Sequence, residues 1–148
     1  MRRRFITGLL AGLTVVGFTL PLRAENAGMR VIVNAANPLP SMLRDEVAKL
    51  FTGRNNKWPD GSTVMPVDLA GKTPTRRLFC TEILKRELEA VESLWQQLIF
   101  SGKAVPPPIK ATEAEVVAYV KENPGAIGYI SYATDLVAGV KEFGVKLK

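Results

Sequence analysis

The sequence predicts a single α/β domain in which helices pack on a mixed β-sheet. Short β-branched apolar runs alternate with stretches whose apolar residues recur every three or four positions. Proline, glycine and Asp-Gly signals separate these segments. No internal repeat, low-complexity run or change of composition divides the chain into further domains.

Residues 1–24 read as an export signal. Arg2, Arg3 and Arg4 open it, an apolar run follows, and Ala24 offers a small residue for cleavage. The run is too short and too rich in glycine for a membrane span, so no stable insertion is expected after cleavage. Arg2-Arg3-Arg4-Phe5-Ile6 also fits a twin-arginine signal, and the secretory and twin-arginine routes both stay open. Either route makes the expected location periplasmic. Residues 25–148 then form one domain, large enough for one core. The leader carries four arginines and no acid, so its removal takes the formal charge from +6 to +2. The basic character is therefore no nucleic-acid footprint, and no interleaving of aromatic and basic residues suggests one.

Met29-Arg30-Val31-Ile32-Val33-Asn34 reads as the first strand. Residues 35–40, with Pro38 and Pro40, form a stiff turn, and Ser41 is the expected cap of the next helix. Leu43, Val47, Leu50 and Phe51 give that helix its apolar face, and Gly53 ends it. Trp58-Pro59-Asp60-Gly61 marks a tight turn. Trp58 serves there as a packing anchor or, alternatively, as a surface for stacking a ligand.

Residues 63–67 read as a strand, 68–72 as a turn and Thr73-Pro74-Thr75 as a helix start, with Thr73 as N-cap and Pro74 in the first helical position. A strand feeding a helix through a polar turn places free N–H groups where an anion can sit. Arg76 and Arg77 fall in the first turn, where cations oppose the helix dipole. A bound anion offsets that cost, or solvent does. Phe79, Ile83 and Leu84 supply the apolar stripe, and Cys80 beside them reads as a buried, inert thiol.

Residues 86–89 read as a charged join. Val91, Leu94, Trp95 and Leu98 then mark another amphipathic helix, with Ile99 and Phe100 at its apolar end and Gly102 as its stop. Pro106-Pro107-Pro108 is a stiff connector. Thr112-Glu113-Ala114-Glu115 fits a capping box, and Val116, Val117 and Val120 face inward from its helix. Asn123-Pro124-Gly125 breaks that helix, and 126–130 form a strand whose Gly128 implies close approach of a neighbour. Residues 140–146 suggest an edge strand interrupted by Gly144.

Taken together, Phe51-Thr52-Gly53, Trp58-Pro59-Asp60-Gly61 and Asn123-Pro124-Gly125-Ala126-Ile127-Gly128-Tyr129 resemble the second lobe of phosphate-binding proteins of ABC transporters. The resemblance runs from Val31 to Tyr132. It implies one lobe of a type 2 periplasmic-binding-protein-like fold. It also implies phosphate or a related small oxyanion as ligand, and an ABC permease or another envelope protein as partner. The family motif is an arginine, three residues, then Ser-Gly-Thr. Anchoring on Phe79 places Thr73-Pro74-Thr75 on Ser-Gly-Thr and Leu69 on the arginine. The glycine N–H and the guanidinium are thus missing, with Lys72, Arg76 or Arg77 as substitutes for the charge. Asp68 would accept a proton from a protonated anion and oppose a fully ionised one. The resemblance therefore gives Thr73, Thr75, Arg76, Lys72 and Asp68 as expected ligand-binding residues.

Two functions fit: a non-enzymatic oxyanion-binding domain, or a ligand-free interaction module that keeps the fold. Catalysis is the weakest class, because no histidine, second cysteine or glycine-rich phosphate loop is present. No cofactor or metal is expected.

Overall fold

The computed structural model describes residues 28–148, so the leader over residues 1–24 lies outside the described residues. The elements run in order β1 (Met29–Asn34), β2 (Ser41–Leu43), α1 (Arg44–Phe51), β3 (Met65–Pro66), β4 (Asp68–Leu69) and α2 (Pro74–Phe79). Helix α2 continues as a π-helical turn (Cys80–Leu84), followed by α3 (Leu88–Phe100), β5 (Ile109–Lys110), α4 (Glu113–Glu122), β6 (Ala126–Ser131) and β7 (Val140–Lys146).

Five strands form one mixed sheet in the order β2-β7-β1-β6-β3. Strand β1 is central and pairs antiparallel with both β6 and β7, so Val31 faces Tyr129 on one side and Phe143 on the other. Val31, Ile32 and Val33 are all buried, as befits a strand covered on both faces. Strands β4 and β5 form a separate parallel pair, with Asp68 opposite Ile109.

Helix α4 lies against β6 through Gly128. A Cβ on Gly128 would stand 2.8 Å from both Val116 and Val67, so the missing side chain is what lets helix and sheet approach. Asn34, at the end of β1, donates to the carbonyls of Val120 and Lys121 at 2.9 Å, tying the carboxyl end of α4 to the central strand. On the other side, Phe79 stacks on Tyr129 with ring centroids 3.9 Å apart, and Phe51 meets Phe79 edge-on at 4.7 Å. These rings join α1 and α2 to β6.

Several local expectations are corrected. Ser41 is no helix cap: it lies in β2, paired with Gly144, and α1 begins after Leu43 without a side-chain cap. The run 140–146 is an interior strand rather than an edge, because β2 adds in parallel along its outer side. Gly144 does not interrupt it, since a Cβ there would lie 2.9 Å from that of Ser41 and keep β2 away. The strand expected at 63–67 shrinks to Met65–Pro66, while Asp68 and Leu69 belong to β4 rather than to a turn. The charged join is shorter than expected, since Leu88 and Glu89 already belong to α3.

Candidate functional site

At the carboxyl end of β6, the starts of α2 and α4 and the turn after Ser131 converge. Thr73 caps α2 as its sequence implies, its hydroxyl oxygen accepting from the Arg76 N–H at 3.2 Å, with Pro74 in the first turn. Thr75, one position further, donates to Oε1 of Glu113 at 2.8 Å. Oε2 of Glu113 accepts from the backbone N–H of Ser131 at 3.1 Å, from its hydroxyl at 2.8 Å, and from the hydroxyl of Thr134. Three hydroxyls and one N–H thus surround one carboxylate. Burial alone would raise its pKa, but the hydrogen bonds from Thr134, Thr75 and Ser131 outweigh burial and hold it below the ordinary value.

The helix start beneath Glu113 does not depend on that side chain. Thr112 accepts from the Glu115 N–H and Glu115 accepts from the Thr112 N–H, both at 3.2 Å, which completes the capping box. The 131–134 turn is held from behind by Arg30, whose guanidinium donates to the Thr134 carbonyl at 2.5 Å.

Arg76 and Asp68 lie deeper. Arg76 is buried and donates to Asp68 at 3.1 Å, to Glu92 at 3.1 Å and to the Gly71 carbonyl at 2.9 Å. Asp68 also accepts from the Tyr129 hydroxyl and, at 2.9 Å, from the Leu69 N–H. Burial first, then the negative charge of Asp68, pushes the ionisation of Tyr129 upward, so its hydroxyl stays a proton donor to that carboxylate. Leu69, which the resemblance sets against an arginine, is buried. Lys72 is exposed and pairs with Glu89 at 3.6 Å, as Arg77 does at 3.2 Å. Among the expected residues, then, Thr75 reaches the hydroxyl cluster, Thr73 orders the helix start, Arg76 and Asp68 pair with each other, and Lys72 lies outside.

The sequence offers little sign of Glu113, Ser131, Thr134 or Glu92. Glu113 looks like filler inside the capping box, and Ser131 and Thr134 merely trail the Gly-Tyr motif. Trp58 is an anchor: it is buried, its Nε1 donates to the Gly125 carbonyl at 3.1 Å, and it meets Phe143 edge-on. Among the described residues no cluster of three or more His, Cys, Asp or Glu side chains is placed to hold a metal, and no helix is long and apolar enough to cross a membrane.

Known structures share this architecture. The chain superposes on an ABC-type phosphate transport receptor from Vibrio cholerae with a TM-score of 0.61 at 20% identity, covering 80% of this chain and 46% of that one. A structure with bound phosphate from Clostridium perfringens, assigned to the phosphate ABC transporter substrate-binding proteins, gives 0.62 at 21% identity, with 80% and 44% covered. PstS from Borrelia burgdorferi gives 0.61 at 13% identity, with 80% and 47% covered. The fold is that of one lobe of these binding proteins. The chain spans less than half the length of each. No protein-family model and no curated protein matches it by sequence.

Proposed function

We propose that the chain is an exported, non-enzymatic binding lobe whose ligand edge is the rim at the carboxyl end of β6, and whose ligand class is a small oxyanion such as phosphate. The observation that carries this reading is the convergence of Thr75, Ser131 and Thr134 on one carboxylate. Neutral donors gathered around an anionic group are the chemistry that oxyanion recognition requires. The rim also lies where mixed and parallel sheets commonly hold ligands, beyond the carboxyl ends of their strands. In this reading Thr75 faces the ligand, Thr73, Arg76 and Asp68 hold the frame, and exposed Lys72 adds attraction at longer range.

One lobe cannot enclose an anion, so wild-type affinity is expected on the order of millimolar, unless an ABC permease, another envelope protein or a second copy supplies the facing wall. The leader directs the protein to the periplasm by the secretory or twin-arginine route. The test is thermal unfolding of the purified protein against phosphate, sulfate, molybdate and small carboxylates at matched ionic strength. A ligand of the folded state raises Tm with concentration. A saturable rise with phosphate supports the reading, and a flat response at every concentration ends it for free anions.

The alternative, an interaction module without a small ligand, is favoured by a separate observation. Phe100 is 91% exposed and Val105 88%, at the end of α3 and in the connector beyond it. Large apolar groups left in water on one short segment of chain suit a contact surface. Capture of an envelope protein by the wild type, with no Tm response to anions, selects this reading.

A further inference from the structure

We propose that Glu113 is an internal occupant of an oxyanion cradle made by Thr75, Ser131 and Thr134, and that a small tetrahedral oxyanion takes the same donors once the carboxylate leaves. This rests on the reading of the rim as the ligand edge and adds how that edge is controlled.

The donors come from three separate parts of the fold: the first turn of α2, the end of β6 and the turn that follows it. Each of the three hydroxyls directs its proton at Glu113. Among the described residues no ion pair joins Glu113 to a cation; its surroundings are neutral donors, which suit an exchangeable anion. The nearby guanidinium of Arg30 is turned to the carbonyl side of the 131–134 turn, so it fixes the donors without neutralising their guest.

Two features make the carboxylate removable. The helix it belongs to is capped by Thr112 and Glu115, so α4 keeps its start when Glu113 is absent or swings away. Thr75, Glu113, Ser131 and Thr134 are all half-buried, which leaves solution a path to the cradle. A site filled by its own side chain binds an external ligand with an affinity reduced by the fraction of time it stands open. If the cradle is open about a tenth of the time or less, removing the occupant tightens anion binding about tenfold or more.

The experiment compares wild type, Glu113→Ala and Glu113→Ser by thermal unfolding against phosphate and sulfate, with chloride at matched ionic strength as control. Circular dichroism reports whether each variant is folded. The expected result is a Tm rise in the shortened variants at concentrations at least about tenfold below any wild-type response. Adding Ser131→Ala to Glu113→Ser removes that gain. Folded variants with a response equal to the wild type, or with none, overturn the proposal. So does loss of fold in both shortened variants while Glu113→Gln stays folded, because the side chain is then a staple between α2, α4 and the turn. A silent wild type beside responsive variants keeps the cradle and removes free-anion binding as the native function. A responsive wild type with equal variants does the reverse.

Discussion

The guanidinium of Arg76 lies 3.1 Å from the carboxylate of Asp68, with only 9% and 17% of the two side chains exposed. Its other terminal nitrogen is held by Glu92 and the Gly71 carbonyl. This is a buried clamp joining the start of α2 to β4 and α3. Removing one member of such a pair leaves an uncompensated charge and costs roughly 3–5 kcal/mol. Arg76→Ala should therefore lower the urea unfolding free energy by about 3 kcal/mol. The double change Arg76→Met with Asp68→Asn should cost less than Arg76→Ala alone, because neither charge of the pair is then stranded and the amide oxygen still accepts from the Tyr129 hydroxyl. A single variant as stable as the wild type would remove the clamp from the account of the fold.

Backbone proximity sets a second expectation. A Cβ at Gly128 meets methyl groups of Val67, Val116 and Val120, which can give a little, whereas one at Gly125 meets the Thr63 carbonyl oxygen at 2.4 Å, which is backbone. Gly128→Ala should cost about 1–3 kcal/mol through overpacking between α4 and β6. Gly125→Ala should cost more, and should shift the backbone amides of Met65, which donates to the Gly125 carbonyl. Chemical denaturation ranks the two, and amide spectra locate the strain. Equal costs would mean the β3 edge yields more easily than its geometry implies.

Thr73-Pro74, the Thr112 capping box and Gly128 were legible in the sequence because caps and close approaches are written within a few residues. Ser41 was misread for the opposite reason. Its hydroxyl suits a helix cap locally, but its partner is Gly144, and β-pairing at that distance leaves no local mark. The candidate site was hidden in the same way. Thr75, Ser131 and Thr134 lie 38, 18 and 21 residues from Glu113, and the capping pattern offers a sufficient local reason for an acidic residue there. Arg76 was visible as a cation near a helix start, but the carboxylates that bury it belong to β4 and α3.

Acid should loosen the Glu113 network. Its folded pKa lies below the ordinary 4.5, so the folded state favours the carboxylate. The resulting stability is fully present above the unfolded value and is lost as pH falls through the folded one. Tm should therefore drop on acidification below about pH 4.5 more steeply in the wild type than in Glu113→Gln, which has no proton to gain there. Parallel curves for the two proteins would show that other carboxylates govern the acid limb.

Phe100 tests the alternative function. At 91% exposure its side chain contributes little to the core, so Phe100→Ser should change stability by no more than about 0.5 kcal/mol. If the end of α3 is a docking surface, the same change should weaken capture of an envelope partner several-fold while leaving the circular dichroism spectrum intact. Unaltered capture would move the contact elsewhere.

Cys80 offers a direct probe of how the α2 segment opens. The thiol is buried where α2 passes into the π-helical turn, and burial, with the charge of Asp68 second, pushes its pKa up to about 11. An inert thiol is expected, labelled by a thiol reagent roughly a thousandfold more slowly than in denaturant if opening costs about 4 kcal/mol. The pH profile identifies the route. Labelling through an opened segment involves a solvated thiol with its ordinary value of 9.0, so the rate rises with pH and levels near there. Labelling of the closed structure would keep rising toward pH 11. Levelling near 9 is expected, because the side chain is 2% exposed and a reagent has no path to it without moving α2. Arg76→Ala, which releases the clamp on the same helix, should then raise the labelling rate without moving the pH at which it levels.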